Sequence, residues 1–191
     1  MTPTIDPIET ALLVVRTLDA LGIPNTIGGS IASSFAGEPR ASIDIDIVAA
    51  LEERHIGPLV AALSGDFYLD EAALRRAVAA RSSVNAIHRS TQLKVDLFVA
   101  GGTPLDAQQL ARRVAVDLGD GRVLHVHPPE DILLQKLRRY RRDGQVSERQ
   151  WRDICAIVRV QSDRMDRLYL RAGAAVLGVS DLLERALGED A

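Results

Sequence analysis

Two short segments in which apolar and polar residues alternate constrain the fold of this chain more than any other feature. The first is Ser42-Ile43-Asp44-Ile45-Asp46-Ile47-Val48, and the second is Lys94-Val95-Asp96-Leu97-Phe98. Alternation with a period of two is typical of a β-strand that has one apolar face and one polar face. Both segments therefore predict strands whose apolar residues face a core while their acids share the opposite face.

The strongest break in the chain is Pro128-Pro129, which separates two kinds of pattern. Before it, strands are predicted near residues 25–28, 42–48, 67–69, 83–88, 92–99 and 122–127, with helices near 7–21, 31–35, 52–63, 71–80 and 105–113. After it, only helices are predicted, at 129–142, 147–160, 164–176 and 179–187. We therefore predict an α/β (α+β) fold in which residues 1–128 form a small mixed β-sheet core. Residues 129–191 form a helical C-terminal part that packs on this core as one compact unit.

Composition limits the classes of protein to which the chain can belong. Its 191 residues are 47% hydrophobic and 26% charged, which suits a globular protein with a sizeable core. The net charge of −3 gives no overall electrostatic footprint for nucleic acid. The lone Cys155 excludes an intramolecular disulfide and a cysteine-rich zinc site. Residues 1–7 carry no lysine or arginine, and no apolar run approaches the length of a membrane span, so we expect a cytoplasmic protein without membrane contact.

The most informative constellation is Gly28-Gly29-Ser30 followed, after thirteen residues, by Asp44-Ile45-Asp46. Two carboxylates separated by one residue on a strand project from the same face and repel each other. A structural role would normally supply a cation between them, and the only basic residue in this segment is Arg40. A divalent metal is the other solution, and hard oxygen ligands favour Mg²⁺ or Mn²⁺.

A third acid, Asp96, lies in the second alternating segment. A neighbouring strand could bring it beside the first pair, and three carboxylates on adjacent strands make a site for two metal ions. Such a site stabilises the attacking and leaving oxygens of an in-line phosphoryl displacement. The Gly-Gly-Ser turn adds backbone N–H groups and the N-terminus of a helix, both of which bind phosphate oxygens.

These residues resemble a known family. Gly-Gly-Ser, Asp-x-Asp and a later aspartate in a strand look like the nucleotidyltransferase superfamily related to DNA polymerase beta. More closely, the chain resembles small bacterial nucleotidyltransferase-like proteins grouped with the toxin component of the AbiE abortive-infection systems. Pro129-Glu130-Asp131-Ile132 with Lys136-Leu137, and then Arg149-Gln150-Trp151-Arg152-Asp153-Ile154, are similar to the helical part of those proteins.

The resemblance implies a reaction in which a nucleoside monophosphate passes from an NTP to a hydroxyl and pyrophosphate is released. Asp44 and Asp46 would hold the metal ions that bridge the triphosphate, and Asp96 would complete one metal site and help to deprotonate the attacking hydroxyl. The groups implied to contact phosphate are Gly28, Gly29, Ser30 and Arg40. The acceptor is left open as an RNA end, a protein or a small molecule, and a toxin-like enzyme would have an antitoxin-like partner.

Charge is distributed unevenly along the chain. Residues 135–152 hold seven basic and two acidic side chains, a net of +5, whereas residues 38–70 hold seven acidic and two basic, a net of −5. This opposition predicts an acidic metal-binding part facing a basic helical part, with an NTP or an RNA end between them. Lys136 and Arg139 share one helix face and are the predicted ligand-facing cations. The alternative is that these residues cover a solvated helix face.

Two other functions stay open at this point. The same fold can bind nucleotide without transferring it and act as a regulatory module, because a fold does not guarantee an activity. Asp-x-Asp also holds the metal of nucleotide-sugar glycosyltransferases, for which this chain is short.

Overall fold

A computed structural model of the chain describes residues 6–37 and 44–189, which form two compact units. The described part of the first unit is residues 6–31 and 44–126, and that of the second is residues 32–37 and 127–189. The predicted α/β class is confirmed, because helices and one mixed sheet make up the structure.

The helices are α1 (Pro7–Ala20), α2 (Gly29–Ala36), α3 (Ile56–Leu63), α4 (Glu71–Ala80), α5 (Pro104–Ala111), α6 (Pro129–Arg142), α7 (Glu148–Gln161), α8 (Arg167–Leu177) and α9 (Ser180–Glu189). The strands are β1 (Asn25–Ile27), β2 (Ile45–Ala49), β3 (Phe67–Leu69), β4 (Ser83–His88), β5 (Lys94–Val99), β6 (Val114–Asp117) and β7 (Val123–Val126). No helix among the described residues is both long enough and apolar enough to cross a membrane.

The strands of the first unit form a single mixed sheet in the order β3-β4-β5-β2-β1-β7-β6. β2 runs parallel to β5 and β1 runs parallel to β7, while every other neighbouring pair is antiparallel. The two alternating segments of the sequence therefore become adjacent parallel strands at the centre of the sheet. This pairing puts their polar faces side by side.

The buried face of these central strands follows the alternation in the sequence. Ile45, Ile47, Val95 and Leu97 are each at most 1% exposed and lie in the core of the first unit, with apolar residues of α1 and α3. Burial of such side chains is worth roughly 1.5–3 kcal/mol each. Ser42 and Ile43, which the sequence also assigns to this strand, lie outside the described residues.

Local sequence signals set the limits of α1. Asp6 caps the helix, since its Oδ1 accepts a hydrogen bond from the backbone N–H of Ile8 at 2.8 Å, and Pro7 occupies the first turn. The helix ends before Gly22, whose φ of +67° suits glycine. The chain then enters β1, whose last residue, Ile27, pairs with Ile47 of β2, next to Asp46.

Several elements differ from the sequence-based prediction, and β6 and α2 are the two that bear most on the sheet and the site. β6 was not predicted, because three of its four residues are exposed and the strand lies at the edge of the sheet, so no apolar alternation marks it. α2 begins at Gly29 rather than near Ile31, so Gly29 and Ser30 form the first turn of the helix instead of a separate loop.

The second unit has its own core, to which α2, α6, α7, α8 and α9 contribute. Trp151 is 9% exposed there, packs 5.2 Å from the Tyr140 ring, and donates a hydrogen bond from Nε1 to Glu189 at 2.7 Å. Trp151 therefore packs between helices of the second unit.

Asp131 is fully buried in the first turn of α6, and its Oδ1 accepts a hydrogen bond from the hydroxyl of Tyr169 at 2.5 Å. Replacing Tyr169 with phenylalanine takes a donor from a buried carboxylate, so we expect the free energy of unfolding to fall by about 1–3 kcal/mol in urea titrations. Tyr68→Phe is the matched control, because Tyr68 is 55% exposed. Equal stabilities of the two variants would show that the Tyr169–Asp131 bond does not stabilise the fold.

Candidate active site

Two of the predicted acids lie side by side on the central strands. Asp46 of β2 is the register partner of Asp96 of β5, and the two strands are parallel. Register partners on parallel strands project from the same face, and their backbones are about 4.8 Å apart. Asp46 is 9% exposed and the side chain of Asp96 is 23% exposed. The structure thus brings Asp46 and Asp96 together in a partly desolvated position.

The glycines predicted to contact phosphate lie next to Asp46. Gly28 follows β1 directly, and its N–H donates to the Asp46 carbonyl oxygen at 2.8 Å. Gly29 has a φ of +57°, and a Cβ built on it would overlap Oδ2 of Asp46 and lie 2.6 Å from Cγ. Only glycine at position 29 therefore leaves room for the Asp46 carboxylate. The sequence pattern predicts phosphate contact for these glycines, and the structure adds this steric role.

The first turn of α2 begins at this same place. Gly29 and Ser30 are the first two residues of the helix, and Ser30 is 8% exposed. The N-terminus of a helix carries a partial positive charge and N–H groups that have no acceptor within the helix. The beginning of α2 therefore provides positive electrostatic potential beside the two carboxylates.

Asp44 lies at the edge of this arrangement. It is exposed and directly precedes the first residue of β2. Across residues 6–37 and 44–189, no three histidine, cysteine, aspartate or glutamate side chains are grouped closely enough to hold a metal ion. A preassembled cluster of three carboxylates, as predicted for two ions, is therefore not present in the described part of the chain.

Lys94 is a further residue of the site and is absent from the predicted set. Its Nζ lies 3.1 Å from Oδ1 of Asp96, two residues further along β5. The signal for Lys94 in the sequence is its i, i+2 spacing from Asp96, because this spacing on a strand places both side chains on one face. Asn85 of β4, the register partner of Asp96 on its other side, extends the same polar row.

The predicted cations of the helical unit pair with acidic residues of the same unit. Lys136 forms an ion pair with Asp153 at 2.9 Å, and both side chains are 16% exposed. Arg139 lies 3.5 Å from Asp143, which also pairs with Arg142. A hydrogen bond from Gln150, together with these guanidinium groups, lowers the pKa of Asp143 below its ordinary value.

Arg40, the remaining predicted phosphate ligand, lies outside the described residues.

Comparison with solved structures identifies the architecture. An antigenic nucleotidyltransferase-like protein from Paracoccidioides brasiliensis matches with a TM-score of 0.59 at 18% identity, over 97% of this chain and 93% of that one. ANT(2″)-Ia, solved in complex with adenylyl-2″-tobramycin, matches with a TM-score of 0.57 at 13% identity, over 90% and 96% of the two chains. The chain has a nucleotidyltransferase fold. The lincomycin-bound lincosamide antibiotic adenylyltransferase LnuA matches this fold with a TM-score of 0.52 at 12% identity, over 80% of this chain and 97% of that one.

Comparison of the sequence with known proteins does not place the chain in a particular family within this fold. No family model matches the chain, and no curated protein matches it in sequence. The resemblance to the AbiE toxin component therefore stays a prediction.

Proposed function

We propose that the protein is a metal-dependent nucleotidyltransferase that transfers a nucleoside monophosphate from an NTP to the hydroxyl of a small molecule. The observation that carries this proposal is the in-register pair Asp46 and Asp96, which lies beside the glycine turn that opens α2. Carboxylates and the backbone N–H groups of a helix N-terminus meet here, and this combination supports a site for a metal ion and phosphate.

The residues of the site have separate roles in this reaction. The N–H groups of the first turn of α2, at Gly29 and Ser30, would bind the outer phosphates of the NTP. Asp96 would accept the proton of the acceptor hydroxyl, whose oxygen forms a bond to the α-phosphorus. The bond from the α-phosphorus to the bridging oxygen of the β-phosphate breaks, and pyrophosphate leaves with the electron pair.

Asp46 and Asp96 fit a hard divalent cation, since both are carboxylates on one face and Oδ1 of Asp96 is buried without a hydrogen bond in the described structure. Asp44 would join them from the position preceding β2. Bound Mg²⁺ or Mn²⁺, one ion or the predicted two, would offset the negative charge of the triphosphate and stabilise the attacking and leaving oxygens.

A small-molecule acceptor is better supported than RNA. Two of the similar structures were solved with adenylyl-2″-tobramycin or lincomycin. In addition, four of the seven basic residues of segment 135–152 are engaged in ion pairs, which lowers the charge available to a phosphate backbone; these four are Lys136, Arg139, Arg141 and Arg142. RNA or a protein as acceptor, with an antitoxin-like partner, is the competing proposal.

A catalytically silent nucleotide-binding module is the second candidate function. The ion pair between Lys94 and Asp96 favours it, because a lysine that permanently held Asp96 would remove the proton acceptor. In this case the protein would bind NTP and release it unchanged.

The decisive experiment follows the α-phosphate. We would incubate the protein with Mg²⁺ and NTPs labelled at the α-phosphate, ATP first, and offer tobramycin, lincomycin, other polyhydroxylated small molecules, total RNA and cell protein as acceptors. We expect label in a small molecule, with one pyrophosphate released for each transfer. Label in RNA or protein would replace the proposed acceptor, and metal-dependent NTP binding without transfer to any acceptor would favour the silent module.

A further inference from the structure

The polar face of β5 holds a cation beside one of the two in-register aspartates. Lys94 Nζ lies 3.1 Å from Oδ1 of Asp96, and Asp96 is the register partner of Asp46 on β2. One positive charge therefore lies at one of the carboxylates that the proposed function assigns to metal binding.

The contact leaves Asp96 incompletely satisfied. Oδ1 is closed off from solvent, and no donor in the described part of the chain makes a hydrogen bond to it. Lys94 is within ion-pair distance of this oxygen, but its approach does not have hydrogen-bond geometry. A buried carboxylate oxygen without a hydrogen bond is unfavourable, and a divalent cation bound at Asp96 would give this oxygen a partner.

The two partners differ in their freedom to move. The Lys94 side chain is 51% exposed, whereas the Asp96 side chain is 23% exposed and belongs to a central strand. Lysine carries its charge on a flexible four-carbon stem and can leave the contact without moving the backbone. A half-exposed ion pair is also weak enough for a divalent ion to displace it.

We propose that Lys94 is a built-in competitor for the metal ion at Asp96, holding this carboxylate when no ion is bound and releasing it when one binds. This inference rests on the metal-binding part of the proposed function. Lys94 is then a positioning residue that sets the affinity for the free ion, so that a divalent cation binds well only when a nucleotide brings further ligands.

The test measures Mn²⁺ binding directly, by titration calorimetry and by the electron paramagnetic resonance signal of free Mn²⁺, without nucleotide. Lys94→Met keeps most of the stem and removes the charge, so we expect Mn²⁺ to bind about tenfold more tightly than to the unaltered protein. Arg75→Met is the matched control. Arg75 is a half-exposed cation of the same unit that pairs with Glu53 and Glu71, so its loss changes the net charge equally.

A double variant separates competition at Asp96 from a general charge effect. In Lys94→Met with Asp96→Asn the gain should disappear, because the carboxylate released by the first change is removed by the second. Equal Mn²⁺ affinity in Lys94→Met and the unaltered protein would overturn the inference, as would an equal gain in Arg75→Met.

The same titrations with a non-hydrolysable NTP distinguish the two proposals. If nucleotide binding depends on the metal but is unaffected by Lys94→Met, the role of Lys94 is wrong while the metal dependence of the proposed function stands. If neither protein bound Mn²⁺ with or without nucleotide, both the inference and the metal dependence of the proposed function would be wrong.

Discussion

Replacing Gly29 with alanine is expected to destabilise the protein by at least about 3 kcal/mol, more than is usual for a surface or loop substitution. Two effects add. The φ of +57° is a left-handed conformation that costs an L-residue roughly 1–2 kcal/mol, and the new Cβ would overlap the Asp46 carboxylate. Urea unfolding followed by circular dichroism measures the change.

Gly22→Ala is the matched control for the first effect, because Gly22 has a φ of +67° and no atom within 4 Å of a built Cβ. Its cost should be limited to the backbone strain, about 1 kcal/mol. The overlap is tested by repeating Gly29→Ala in an Asp46→Ala background, where the cost should fall toward that of Gly22→Ala. An undiminished cost in that background would show that Asp46 is not the obstructing group.

Replacing Asp46 with asparagine is expected to lower nucleotidyl transfer at least about 100-fold and to abolish the metal-dependent stabilisation by NTP. The substitution removes one of two adjacent carboxylates that we propose as metal ligands. At a nucleotide concentration of about 100 times the Kd, binding stabilises a protein by about 2.7 kcal/mol, and this gain should be absent in the variant. Thermal unfolding with and without NTP and Mg²⁺ provides the measurement.

The unliganded protein provides the comparison. Because Asp46→Asn lessens the repulsion between two adjacent carboxylates, its effect on the stability of the unliganded protein should be small beside the loss of stabilisation by NTP and Mg²⁺. Asp120→Asn is the control for an aspartate outside the site, because its side chain is 94% exposed. A fully retained stabilisation by NTP and Mg²⁺ in Asp46→Asn would rule out Asp46 as a metal ligand.

The α/β class could be predicted because it depends on local patterns. Alternation around Asp46 and Asp96 identified the central strands, and the buried positions of Ile45 and Val95 confirm which face is apolar. The edge strand β6 could not be predicted in this way. Its residues are mostly exposed, and it is held by pairing with β7, a contact that local sequence does not encode.

The candidate site likewise has features that the sequence predicted and features that it could not predict. Sequence spacing put Asp44 and Asp46 on one face of a strand, but it could not show that Asp46 has Asp96 as its register partner. It also associated Lys136 with a ligand, while the structure pairs this lysine with Asp153, seventeen residues further along the chain. Such partners depend on how helices and strands pack, because residues distant in sequence meet only in the folded protein.

By itself the sequence determined that this protein has a mixed core with acids on the polar face of two strands, since alternation with a period of two is a property of each strand alone. Only the tertiary structure decided that these strands are parallel neighbours, that Gly29 gives the Asp46 carboxylate its space, and that Lys94 reaches Asp96. The physical reason is that register, close contact and ion pairing are relations between separate segments, and they are fixed by packing rather than by the local pattern of either segment.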